Sequence, residues 1–166
     1  MPSQGLNTGR GIGKRKMSNN IGITASCFDL LHAGHVTMLK EAKSKCDYLI
    51  CCLQVDPSID RKEKNKPIQS LVERYIQLNS VKYVDEIIPY CSEMDLMEIL
   101  TTHQIHVRFI GQEYKRKKFT GSELAIPIHY TSRQHSFSSS ELRQRILINW
   151  RSNGAVLWQK KKWLTL

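Results

Sequence analysis

Phe28-Asp29-Leu30-Leu31-His32-Ala33-Gly34-His35 is the stretch on which the reading of this chain turns. Directly before it, residues 21–26 read as a strand. Directly after it, Val36, Leu39, Ala42 and Cys46 recur every three or four residues, so residues 35–45 read as a helix. The octet is therefore a strand-to-helix junction. A helix N-terminus carries unsatisfied backbone N–H groups and the positive end of the helix dipole, and both favour a phosphate. Gly34 removes a side chain where a ligand would approach closely. His32 and His35, three residues apart, would flank the same anion. A lone histidine here would read as a cap, a core residue or a surface residue. Two histidines and a glycine at the ligand end of a strand point to phosphate chemistry.

Outward from this junction, short apolar runs alternate with helical patterns. Residues 47–55 form a nearly continuous apolar run, as suits the middle of a parallel sheet. A polar, lysine-rich loop occupies 56–69. Ser70 then caps a helix running through Leu78, with Glu73 at the capping-box position. Residues 84–89 read as a strand, 93–102 as a helix, and 105–110 and 126–131 as strands. Ser138 caps a last helix through Ile148, again with Glu141 three residues on. Strands separated by helices imply right-handed βαβ units. The expected class is α/β, a five-stranded parallel sheet with helices on both faces. Ligands of such sheets bind beyond the carboxyl ends of the strands, which places interest just after Ser26, Val55, Ile110 and Thr131.

Two of those places carry further candidates. Arg133-Gln134-His135-Ser136-Phe137-Ser138-Ser139-Ser140 follows the last strand and enters the last helix. Its hydroxyls and exposed N–H groups form a second anion cradle, to which Arg133 adds a planar fork. The loop Arg61-Lys62-Glu63-Lys64-Asn65-Lys66 follows the second strand. Alone, it would be an ordinary solvated charge run.

The net charge of +10 resides in the ends. Residues 1–18 hold Arg10, Lys14, Arg15 and Lys16 without an acid, and residues 149–166 hold Arg151, Lys160, Lys161 and Lys162 without an acid. That leaves 17 basic against 15 acidic residues between 19 and 148, a net of +2. A nearly neutral domain fits a local anion site and makes nucleic acid an unlikely partner. The expected organisation is a disordered basic tail (1–18), a folded domain (19–148), and a basic C-terminal tail (149–166) holding Trp150, Trp158 and Trp163. Met17 offers an alternative start that would make residues 1–16 an extension. Gly9-Arg10-Gly11-Ile12-Gly13-Lys14 lacks the first glycine of a phosphate loop, because Thr8 stands there, and no strand precedes it. Cys51 and Cys52 are adjacent in a strand and should face opposite ways as small buried hydrophobes. Five cysteines without metal spacing point to free thiols and a reducing compartment. No stretch approaches the length of a membrane span, so the expectation is a soluble, cytoplasmic protein.

These motifs resemble the His-x-Gly-His nucleotidyltransferases, particularly the glycerol-3-phosphate cytidylyltransferase type, over about residues 21–146. Tyr83-Val84-Asp85-Glu86-Ile87-Ile88-Pro89 is similar to the family's Tyr-Val-Asp-Glu-Val-Ile-Pro. The resemblance implies a Rossmann-like nucleotidyltransferase fold. It also implies transfer of a nucleotidyl group, CMP from CTP, to a phosphorylated acceptor such as glycerol 3-phosphate, with release of pyrophosphate. ATP acting on a sugar phosphate or a coenzyme precursor is the alternative, and a catalytically idle nucleotide-binding module is a second one. Mg²⁺ would travel mainly on the nucleotide, no protein metal ligand is expected, and the family is commonly homodimeric.

By the same resemblance His32, His35, Lys66 and Arg133 would be catalytic. The nucleotide would meet Ser26, Cys27, Phe28, Asp29, Gly34, Lys64, Arg74, Lys82, Gly111, Gln112, Glu113, Ser138, Ser139 and Ser140. Lys64 and Lys66 match lysines over the triphosphate, and Lys82 stands where the family has a nucleotide-contacting arginine. Four departures accompany these matches. Ser26-Cys27 replaces Gly-Thr, Gly111-Gln112-Glu113-Tyr114 replaces Gly-Asp-Asp-Trp, and Ser136-Phe137 replaces Gly-Ile. No basic residue stands near Leu96, where the family lysine for the acceptor phosphate would match.

Overall fold

The computed structural model describes residues 20–132 and 136–151. The expected tails lie outside the described residues apart from 149–151, and Arg133 lies outside them too. Five strands, β1 (Ile21–Ser26), β2 (Tyr48–Gln54), β3 (Glu86–Tyr90), β4 (Val107–Gly111) and β5 (Ile128–Thr131), form one sheet in the order β3-β2-β1-β4-β5. Every pairing is parallel. The helices are α1 (Ala33–Lys43), α2 (Leu71–Asn79), α3 (Glu93–Thr102) and α4 (Ser139–Asn149). Strand order reverses at β1, so β1 and β4 part their connections there and open a crevice at their carboxyl ends.

Strand parity sorts the core into two layers. Cys51 packs with Leu39 and Ala42 of α1 and Leu78 of α2, whereas Cys52 packs with Leu96, Ile99 and Leu100 of α3. Adjacent cysteines thus feed opposite faces, as alternation requires, and helices cover both faces. Gly22 lets the sheet and α1 close on each other. A Cβ there would stand 2.5 Å from the Phe109 ring and 2.8 Å from the Cys46 sulfur.

The limits of β1 and α3 agree with the sequence expectation, and the others move by one or two residues at one end or both. Caps account for two of the helix starts. α1 begins at Ala33 rather than His35 because the His32 ring itself is the N-cap, accepting from the Gly34 amide. α3 begins with an unanticipated reciprocal box, Ser92 with Asp95, in which aspartate replaces the usual Glu or Gln. The box at Ser70 and Glu73 forms as expected. At α4, Ser138 Oγ accepts from the Glu141 amide, the forward half of the expected box. A 3-10 turn at Gln112–Tyr114 has no counterpart in the sequence reading. Among the described residues, no helix is long and apolar enough to cross a membrane.

Candidate active site

The turn between β1 and α1 is held in an unusual backbone shape. Phe28 and Leu30 both adopt positive φ, 48° and 50°. For residues with a Cβ this costs on the order of 1–3 kcal/mol each and persists only where surroundings enforce it. Asp29, between them, supplies the enforcement. Its carboxylate is 5% exposed and accepts from the Ile68 amide at 3.1 Å and the Gln69 amide at 2.9 Å. It also pairs with Arg143 of α4 at 2.5 Å. The Leu30 amide donates to Gln69 Oε1 at 2.7 Å, and Ser139 Oγ donates to the Asp29 carbonyl at 3.1 Å. Burial opposes ionisation of Asp29, but the two amides and the Arg143 guanidinium outweigh it and hold its pKa below the ordinary aspartate value. One residue, Asp29, therefore ties together the β1–α1 turn, the loop before α2 and the first turns of α4.

The turn delivers the two histidines as a stacked pair. Their ring centroids are 3.9 Å apart at 26°, and Phe28 lies 5.5 Å beneath His35. His32 Nδ1 accepts from the Gly34 amide at 3.1 Å, and His35 Nδ1 accepts from the His32 amide at 3.4 Å. An Nδ1 that accepts carries no proton, so each ring presents Nε2–H as a donor. Both rings line a cleft of about 820 Å³ at the carboxyl end of the sheet.

Of the sequence-selected residues, the cleft wall also contains Ser26, Cys27, Gly34, Lys64, Gly111, Glu113, Ser138, Ser139 and Ser140. Phe28 and Asp29 border a smaller adjoining recess. Gln112 and Lys66 are exposed and line neither.

Two more of the sequence-selected residues lie outside the cleft lining. Arg74 is 2% exposed, and its guanidinium is committed to backbone carbonyls. Nη1 donates to Cys27 O at 2.8 Å and Gln54 O at 2.7 Å, Nη2 to Val55 O at 2.7 Å, and Nε to Gln69 O at 3.2 Å. It clamps the ends of β1 and β2 and the loop before α2, and it lines neither the cleft nor the smaller recess. Lys82 lies in the turn entering β3, at the amino edge of the sheet, with its ammonium 5.4 Å from the Tyr83 ring. Ligands of a parallel sheet bind at the other edge, so within this chain Lys82 is remote from the cleft. Cys27 contributes to the scaffold as well, since its thiol accepts from Arg74 at 3.4 Å, and burial raises its pKa.

The cleft also holds groups to which the sequence reading gave no role. Gln54, Arg61, Glu93, Arg108, Lys118 and Thr120 all line it. The absence of a basic residue near Leu96 therefore does not leave that side of the cleft uncharged. Arg61 Nη2 stands 3.0 Å from both Gln54 Oε1 and Glu93 Oε1, and Thr120 Oγ1 donates to the other Glu93 oxygen. A signal was present for Arg108, a charge inside the apolar run Val107-Arg108-Phe109-Ile110. None was present for Thr120 or Glu93. Among the described residues no group of three or more His, Cys, Asp or Glu comes together to hold a metal.

A model of the cytidylyltransferase-like family matches residues 23–145. The bifunctional protein HldE of Paramagnetospirillum magneticum is 36% identical over 111 residues, which cover 66% of this chain but only 22% of that protein. The FAD synthase of Thermococcus sibiricus is 30% identical over 121 residues, covering 66% of this chain and 82% of that protein. A lipopolysaccharide core biosynthesis protein from Thermoplasma volcanium superposes with a TM-score of 0.59 at 26% identity, over 70% of this chain and 98% of its own. The fold is shared with pantoate-beta-alanine ligase from Francisella tularensis, with a TM-score of 0.53 and 17% identity over 76% of this chain and 66% of that one. These relatives carry other names than glycerol-3-phosphate cytidylyltransferase, which corrects the finer part of the motif resemblance and leaves its coarser part standing. The chain belongs to the cytidylyltransferase-like family and carries a nucleotidyltransferase domain.

Proposed function

We propose that this domain is an adenylyltransferase that joins AMP from ATP to a phosphorylated small molecule and releases pyrophosphate. The observation that carries the reaction type is the stacked His32–His35 pair at the start of α1, lining the cleft together with the Ser138–Ser140 start of α4. The choice of base draws support from the FAD synthase, which aligns along most of its length. FAD contains an adenylyl group joined to a flavin phosphate, so making it is adenylyl transfer. ATP thus replaces CTP as the preferred donor.

In this reading an ionised phosphate oxygen of the acceptor attacks the α-phosphorus in line. The new O–P bond forms as the bond to the bridging oxygen breaks, and pyrophosphate leaves. A phosphate monoester is mostly dianionic at neutral pH, its second pKa being about 6, so no general base is needed. Catalysis is positioning plus stabilisation of developing charge. His32 and His35 donate to the α-phosphate oxygens, the amides and hydroxyls at the start of α4 receive the outer phosphates, and Lys64, Lys66 and Arg133 neutralise them. Mg²⁺ arrives with the nucleotide as part of the substrate.

The test is pyrophosphate release by the full chain with ATP or CTP against sugar phosphates, FMN and glycerol 3-phosphate. ATP with one acceptor should turn over. His32→Ala should lower kcat on the order of 10²–10³ with little change in ATP affinity, as for loss of a preorganised donor. Release with CTP alone would overturn the base assignment, and undiminished turnover by His32→Ala would overturn the mechanism.

A further inference from the structure

The carboxyl edge of the sheet offers the cleft from two sides. Phe28, beneath the His pair, belongs to the layer under α1 and α2, and so does Phe109 of β4. Arg108, one residue before Phe109, therefore projects from the opposite face, toward α3. Its electrostatic neighbours are Cys52, Tyr90, Glu93 and Glu123, and Cys52 and Tyr90 belong to the layer under α3.

Arg108 is 5% exposed yet lines the cleft. Among the described residues the guanidinium makes one hydrogen bond, from Nη1 to the Thr120 carbonyl at 2.5 Å, and it lies 5.3 Å from the Phe119 ring centroid. No carboxylate stands within ion-pair distance of it among the described residues. Glu93 is engaged instead by Arg61, Gln54 and Thr120. Gly121, at φ 73°, makes the space: a Cβ there would stand 2.9 Å from Arg108 Nη1. A buried cation without a paired carboxylate is costly, and burial lowers the pKa of this guanidinium. An arginine keeps its charge at neutral pH even so; Glu93 and Glu123 act on it without direct contact, and a bound anion would supply the direct partner.

We propose that Arg108 is the receptor for the acceptor's phosphate, holding it on the α3 side of the cleft while the His pair holds the nucleotide on the α1 side. Arg61, fixed by Gln54 and Glu93, adds a second positive charge on the same wall. The reacting oxygen and the α-phosphorus then meet at the end of β1, between the two. Phosphate geometry suits the planar fork of a guanidinium, here placed over an aromatic ring. The assignment rests on the adenylyl-transfer reading for the role of the anion, but not for its binding.

Inorganic phosphate titrated into the full chain by calorimetry tests it, with the nucleotide side filled by a nonhydrolysable ATP analogue. Wild type should bind phosphate. Arg108→Gln, whose amide can still reach the Thr120 carbonyl, should bind it about ten- to hundredfold more weakly, the effect of losing charge-assisted hydrogen bonds. Arg108→Lys, which keeps the charge without the fork, should fall between, and both should bind the analogue as wild type does. In turnover the loss should appear in the acceptor's KM rather than in that of ATP. Should Arg108→Gln not fold, Arg108→Lys decides. Equal phosphate affinity in wild type and a folded variant, or no phosphate binding by wild type, would overturn the proposal. Failure of the adenylyl-transfer reading would show separately, as no pyrophosphate release by a wild type whose phosphate binding still depends on Arg108.

Discussion

Replacing Arg74 with methionine should threaten the fold rather than nucleotide affinity. Methionine fills much of the same space but removes four hydrogen bonds to the carbonyls of Cys27, Gln54, Val55 and Gln69. Hydrogen bonds to a charged group contribute about 1.5–3 kcal/mol each, and a buried acceptor left unmade costs about 1–3 kcal/mol. Part of the loss is recovered because methionine carries no desolvation cost, and water can reach some of the freed carbonyls. A net destabilisation of about 3–5 kcal/mol follows, at the top of the range for single substitutions. A domain of this size has about 5–15 kcal/mol in total. With a urea m-value of about 1.5–2 kcal/mol/M the midpoint should drop by about 2 M. The assay is urea unfolding by far-UV circular dichroism, with ATP affinity measured on the folded fraction. A loss below about 1 kcal/mol, or a stable Arg74→Met protein with greatly weakened ATP binding, would refute the clamp and restore Arg74 to the nucleotide site.

Asp29→Asn should cost about 2–4 kcal/mol near neutral pH, since it breaks the pair with Arg143 and weakens the amide bonds from Ile68 and Gln69. Because the folded pKa of Asp29 is lowered, its contribution is present above the unfolded value near 4 and is lost as pH falls through the lower folded value. The gap between wild type and variant should narrow on acidification, and a gap independent of pH in denaturant melts would contradict this. In thiol labelling followed by mass spectrometry, exposed Cys91 should react while Cys46, Cys51 and Cys52 stay protected until unfolding. Burial raises the pKa of all three, that of Cys52 to about 12. Labelling of Cys51 or Cys52 in the native protein would contradict their placement.

The parts of this molecule legible in the sequence are those encoded by near neighbours. Apolar runs, helical spacing and capping residues located the five strands and four helices of the described residues, and the adjacent Cys51 and Cys52 fell on opposite faces as alternation requires. The order of strands and helices implied a parallel sheet, and a parallel sheet implied which of its edges binds ligands. His32, Gly34 and His35 line the cleft together because a strand, a turn and a helix start that follow one another in sequence remain together in space. What the sequence left open depends on contacts between distant segments. Asp29 meets Arg143 across 114 residues, and Arg74 meets Cys27 across 47. Nothing local distinguishes an arginine that will grip a phosphate from one that packing will surround with carbonyls. Thus Arg74 is enclosed by backbone carbonyls and Lys82 lies at the far edge, while Glu93 and Thr120 entered the cleft unannounced. Periodicity and capping are properties of a chain segment, whereas the partner of a charge is decided only when the layers close and water is excluded around it.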